Sequence, residues 1–257
     1  MCRWLSYRGP AIYLEELLYE PKHSLIDQSL HALEAKTPTN GDGFGVGWFG
    51  ARKTPGTYHE ILPAWNDANL KSLAHQIQST NFFAHVRAST GTATSRANCH
   101  PFSYRNWMFM HNGQVGEYHK LRRALESRIP DELYIERKGT TDSEAIFFMM
   151  LGNGLEDDPV RAANKTLGQV VDMMEAAGIT APFRMTSVFS DGERYYALRF
   201  STDDRPPSLY YCDEKERLIL VSEPLDSETS SWKTVPPSTM LMVDEAGKVE
   251  LQPLTLQ

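Results

Sequence analysis

Residues 40–48 read NGDGFGVGW, with glycine at positions 41, 43, 45 and 47. Alternate residues of a strand point to one face. The spacing therefore predicts a strand over residues 43–49 with one face stripped of side chains. A bare face lets another backbone or a substrate come close. The run from Gly45 to Gly50 also fits the dinucleotide pattern G-x-G-x-x-G. The following Ala51-Arg52-Lys53-Thr54-Pro55 reads as a turn, not as the helix a dinucleotide site needs.

Around this strand the pattern alternates irregularly. Strands are expected at 2–7, 57–62, 81–88 and 107–110. Helices are expected at 24–35 (closed by Pro38), 66–78, 116–127, 142–152 and 159–176. Beyond residue 182 the chain reads as mostly β, with strands at 186–190, 194–199, 208–212, 217–222, 239–243 and 248–252. Asp191-Gly192 marks a hairpin turn. Without a regular strand–helix alternation, α+β layering is favoured over a doubly wound parallel sheet. A length of 257 residues, 41% apolar, is enough for one large domain, and no repeat or linker divides residues 1–257.

A net charge of −7 argues against general nucleic-acid or anionic-membrane binding. No apolar run reaches the length of a membrane span, and residues 1–10 have no signal-type apolar core. Three cysteines, Cys2, Cys99 and Cys212, imply no disulfide framework and fit a reducing cytoplasm. No cofactor motif and no metal-type spacing is present.

Five short stretches carry chemistry. Cys2 follows the initiator methionine. Removal of Met1 would place a thiol and a free α-amine on one residue, and an N-terminal amine can activate such a nucleophile. The alternative is an inert buried thiol. In AHVRAST, Arg87 stands at a strand end, where a guanidinium can grip a carboxylate through two parallel bonds, and Thr90 offers a hydroxyl. A salt bridge within the fold is the competing reading. HNGQVG reads as a tight turn between a strand and a helix, with Asn112 and Gly113 as amide donors for an oxyanion. An ordinary Asn-Gly turn is the alternative. In TTDSEA, Thr141 and Glu144 fit a capping box, and Asp142 in the first turn can cap the helix or bind an ammonium group. In ANCHPF, Cys99 and His100 are read as a structural loop, while His85 and His111 are read as satisfying local hydrogen bonds. Lys120, Arg122 and Arg123 are read as a solvated helix face, and Trp48, Trp107 and Trp232 as core.

Taken in order, Cys2, DGFGVG at 42–47, HVRAST at 85–90, HNG at 111–113 and TDSE at 141–144 resemble the class II glutamine amidotransferases, which are N-terminal-nucleophile hydrolases. SDGERYYALR at 190–199 and VSEPLD at 221–226 extend the resemblance to about residues 2–245. The small stand-alone branch typified by YafJ and EgtC fits best. The resemblance implies a four-layer αββα sandwich with the nucleophile at the start of a central strand. It also implies that Cys2 attacks the side-chain amide of L-glutamine, its α-amine serving as base. Asn112 and Gly113 would hold the oxyanion, Arg87 with Thr90 the α-carboxylate, and Asp142 the α-ammonium. No cofactor is implied.

Larger members often carry Trp after the arginine and His after the threonine, where this chain has Ala88 and Gly91. Both changes open the pocket towards γ-glutamyl amides or peptides. Three functions follow: a glutaminase supplying a separate ammonia-accepting protein, a γ-glutamyl amide hydrolase, or a non-catalytic amino-acid-binding relative.

Overall fold

The chain lays down β1 (Arg3–Tyr13), β2 (Phe44–Trp48), β3 (Gly56–Glu60), β4 (Gln78–Val86), β5 (Phe102–Tyr104), β6 (Trp107–Gln114), β7 (Arg184–Ser190), β8 (Tyr195–Ser201), β9 (Tyr210–Glu214), β10 (Arg217–Val221), β11 (Lys233–Thr234), β12 (Thr239–Val243) and β13 (Val249–Pro253). Its helices are α1 (Glu15–Leu18), α2 (Leu25–His31), α3 (Ala68–Gln76), α4 (Tyr118–Glu126), α5 (Asp131–Tyr134), α6 (Asp142–Gly152) and α7 (Pro159–Ala176). The structure, a computed structural model, describes residues 2–34, 39–89, 93–214, 216–226, 231–244 and 247–257. Thr90, Gly91, Met1 and Pro38 lie outside the described residues.

One sheet runs β11-β9-β10-β1-β4-β2-β3 and the other β13-β12-β8-β7-β6-β5. Every strand pairing among the described residues is antiparallel, as the α+β reading requires. Trp4, Phe83, Met108, Met110, Val188, Tyr195 and Ala197 fill the space between the sheets. Leu17, Leu25, Leu70 and Ala74 of α1 to α3 close the outer face of the first sheet over Leu5, Phe44 and Phe82. Leu121, Phe147 and Leu167 of α4, α6 and α7 cover Phe109, Met185 and Leu198 of the second. Four layers result, αββα, with an apolar core in each of the three gaps.

The helix ends follow capping chemistry. Thr141 accepts the Glu144 N–H at 3.1 Å, and Asp158 accepts the Arg161 N–H at 3.0 Å ahead of Pro159. The capping box is only half formed. The Glu144 carboxylate takes the N–H groups of Lys138 and Gly139 instead of returning to the cap. Helix α6 is buried from Ser143 to Leu151 because it lies between α4, α7 and β6, so it is apolar all round.

The glycine face does what its spacing predicts. A Cβ on Gly45 would stand 2.1 Å from the His100 carbonyl, and one on Gly47 2.7 Å from Pro101. The 99–101 segment therefore lies directly on β2. The HNG segment departs from expectation. It is not a turn: β6 continues through it to Gln114, with Asn112 opposite Thr186 and Gly113 opposite Met185. Tertiary pairing overrides the local turn preference of Asn-Gly. The glycine is still needed, since Gly113 has φ +143° and a Cβ there would meet the Arg184 carbonyl at 1.9 Å.

Candidate active site

Cys2 immediately precedes β1, whose Arg3 and Trp4 pair with Val86 and His85 of β4. This register sets the Cys2 thiol against the segment leaving β4. Its Sγ donates to the Ala88 carbonyl at 3.6 Å and accepts the Ala88 N–H at 3.4 Å. Burial pushes the thiol up from its ordinary value, partly offset by the Ala88 contact, so the sulfur is held as the neutral thiol.

The strand end is anchored from behind. Arg3, fully buried, lies 3.3 Å from Glu223 and donates to the Ser222 carbonyl at 3.2 Å. Glu223 also accepts from His23 at 2.5 Å and from the Leu33 and Glu34 N–H groups. These donors hold the Glu223 carboxyl below its usual range against the cost of burial.

Arg87 follows β4 and is 4% exposed. Its guanidinium contacts the Ser89 hydroxyl at 3.3 Å and the Asp42 carbonyl at 3.4 Å. Asp42, from the glycine-rich run, fixes this corner. Its N–H reaches the Arg87 carbonyl at 3.0 Å, and its carboxylate accepts the Ser89 N–H at 2.7 Å. Sequence reasoning did not single out Asp42 or Ser89; the DGFG run was the available signal.

Across the site, Asp142 opens α6. Its two carboxylate oxygens accept the N–H groups of Val115 and Ser143, both at 2.8 Å. The aspartate thus joins the helix start to the end of β6. His111 of β6 contacts Ser143 Oγ at 2.8 Å and the Arg184 carbonyl at 3.4 Å.

Cys2, Arg87, Gly113 and Asp142 line one cavity of about 720 Å³. Asn112 stands beside Gly113, 2% exposed, and its Nδ2 has no acceptor. A buried amide donor without a partner calls for a specific reason. The cavity therefore offers a thiol and charges of both signs, Arg87 and Arg122 with Glu117 and Asp142, and the idle Asn112 donor belongs to the residue next to its Gly113 wall.

The histidines form a buried group. His100 lies in a loop, as expected, and also lines the cavity, its ring 4.3 Å from that of His85. The His85 ring has only a weak contact with the His111 backbone, and neither His100 nitrogen has a hydrogen-bond partner. Burial drives His85 down to about 3 and His100 well below its ordinary value, and it lowers His111 too. The group is neutral at physiological pH. Cys99 is the structural residue expected. Its thiol lies 3.5 Å from the Glu60 and Ser95 carbonyls, either of which can accept its one proton, and burial raises it to about 11.

Residues 24–212 match the model of the class-II glutamine amidotransferases. The probable glutamine amidotransferase DUG3 of Saccharomyces cerevisiae is 32% identical, the match covering 95% of this chain and 82% of that protein. The gamma-glutamyl-hercynylcysteine sulfoxide hydrolase of Mycolicibacterium smegmatis is 26% identical over 97% of this chain and 98% of its own length. Among solved structures, a glutamine aminotransferase class-II domain protein from Silicibacter pomeroyi superposes with a TM-score of 0.80 at 34% identity, covering 100% of both chains. The layered sandwich, the thiol at the start of its central strand and these relatives agree: the chain belongs to the class-II glutamine amidotransferases, amidohydrolases of the N-terminal-nucleophile fold.

Proposed function

We propose that this chain hydrolyses the side-chain amide of L-glutamine through a thioester on Cys2. The reading is carried by one observation: Cys2, the Arg87 guanidinium and the Asp142 carboxylate share a cavity. A free α-amino acid carries the two complementary charges.

The α-amine of Cys2, freed by loss of Met1, takes the thiol proton as sulfur attacks the amide carbon. With Met1 attached, the same nitrogen is an amide and is no base. Oxygen gains the negative charge, and Asn112 Nδ2 with the Gly113 N–H stabilises it. The C–N bond then breaks, and the protonated α-amine returns its proton to the departing ammonia. Water adds to the thioester by the same route, releasing glutamate and restoring the thiol. Arg87 holds the α-carboxylate, with Thr90 assigned beside it by the motif alone. Asp142 holds the α-ammonium. The buried histidines, neutral at working pH, leave the proton transfers to the α-amine.

A second reading has its own support. A cavity of about 720 Å³ is in the range that holds drug-sized ligands. Ala88 lines it where larger relatives carry Trp, and the Mycolicibacterium smegmatis relative is a gamma-glutamyl hydrolase by name. A γ-glutamyl amide with a larger leaving group fits the same charge clamp. For the glutaminase reading, the partner is a separate protein that uses the ammonia, in a reducing cytoplasm. Among the described residues no helix is long and apolar enough to cross a membrane.

The test is glutamate release from L-glutamine by protein whose mass shows that Met1 is gone, with Cys2→Ala as control. Turnover abolished in the control supports the proposal. Turnover of γ-glutamyl amides but not of glutamine selects the second reading. Binding of either without turnover overturns both.

A further inference from the structure

At the other end of the sandwich the sheets part around a second cavity, also of about 720 Å³. Along β1, Trp4 and Ser6 face the second sheet: Trp4 in the inter-sheet core, Ser6 hydrogen-bonded to the Tyr195 hydroxyl. By strand alternation Arg8 is the next residue on that face, opposite Asn81 of β4 and Leu218 of β10. Arg8 is thus a half-buried cation at the mouth of an apolar gap. Arg217, at the start of β10, and Lys248, after the β12–β13 turn, line the same cavity. Among the described residues, no carboxylate pairs with any of these three side chains. Of the two carboxylates in the lining, Asp213 is taken by Lys233 at 2.5 Å, which leaves Glu216.

Asn81 supplies the second observation. It is 1% exposed and lines this cavity. Its Nδ2 donates to Ser190 Oγ across the sheets at 2.9 Å, while its Oδ1 has no donor. A half-buried guanidinium without a counter-charge and a buried amide with an idle end both cost stability. A ligand with several charged oxygens and a hydroxyl would remove both costs. We propose that this far-end cavity binds a small, multiply charged oxyanion, a phosphate ester or a polycarboxylate, away from the Cys2 site. Two arginines suit either, since a guanidinium engages phosphate and carboxylate oxygens in pairs.

The test uses the full chain and measures the thermal midpoint against sodium phosphate and sodium citrate, with sodium chloride at matched ionic strength. A specific ligand gives a saturating rise that chloride lacks. The oxyanion with the lower half-saturation concentration identifies the headgroup. In Arg8→Gln/Arg217→Gln that concentration is expected to rise at least ~10-fold, the scale of one lost charged hydrogen bond. Lys248→Gln, on an exposed turn, folds regardless and is expected to weaken binding by about 3-fold, the scale of a surface charge contact. A response equal to that of chloride, or one unchanged in both variants, overturns the proposal.

Discussion

The two ends of the sandwich enclose cavities of equal volume yet differ in how charge is arranged. At the Cys2 end cations and anions balance, Arg87 and Arg122 against Glu117 and Asp142, beside a thiol and buried imidazoles. At the far end, among the described residues, three cations face two carboxylates, one of which is paired with Lys233. Opposite charges at a fixed spacing select a zwitterion by geometry. Like charges select by valence. The lesson is that equal room carries no information about a ligand until the signs of the wall are known.

The comparison breaks most directly at the nucleophile. Cys2→Ala is expected to lower kcat by up to ~10⁶, the scale of removing a catalytic nucleophile elsewhere, while phosphate binding at the far end stays unchanged. Next come the charges. Asp142→Asn keeps the shape of the clamp and removes its anion, so kcat/KM for a free α-amino substrate should fall by ~10³–10⁴. A substrate analogue lacking the α-amino group should gain relative to glutamine. Steady-state kinetics on the two substrates check this. An equal loss on both would assign Asp142 to structure, through its bonds to Val115 and Ser143.

Asn112 sharpens the contrast between function and stability. Its Nδ2 contributes no hydrogen bond to the resting fold, so Asn112→Ala should change the unfolding free energy by less than ~1 kcal/mol, since an idle buried donor is removed with the side chain. The same change should lower kcat by ~10²–10³ with little effect on KM. Parallel denaturant titration and kinetics separate the two. A marked loss of stability with normal kcat would show that Nδ2 serves the fold.

What could be read from residue order divides along similar physical lines. Helices α6 and α7 match their expected bounds because a capping side chain and an apolar run state both ends locally. Cys2, Arg87, Gly113 and Asp142 were singled out from four separate motifs, and the structure brings them to one cavity. Asn112-Gly113 was misread as a turn because strand pairing with β7 is a long-range effect that outweighs a dipeptide preference. His100, expected in a loop, gave no local sign that its ring would reach the cavity. Only the bare face of β2 brings the 99–101 segment close enough for its ring to reach the cavity. The far-end cavity had no local signal, since Arg8, Asn81, Arg217 and Lys248 meet only through sheet register and hairpin turns.

The smallest expected effect is a slope. His85, His100 and His111 are buried and neutral, each below its ordinary pKa of 6.5, His85 at about 3. In the unfolded chain these rings gain protons as pH falls through about 6.5, while the native state resists. The unfolded state then binds more protons, so stability falls with falling pH. Their contribution is whole above pH 6.5 and is lost progressively below it, for His85 down to about pH 3. Each ring adds up to ~1.4 kcal/mol per pH unit to that slope. Urea midpoints between pH 7 and about pH 5 measure the slope. The slope should be shallower in His85→Gln, where one of the three rings no longer titrates. An unchanged slope in that variant would mean that His85 titrates alike in the native and unfolded states, which its burial argues against.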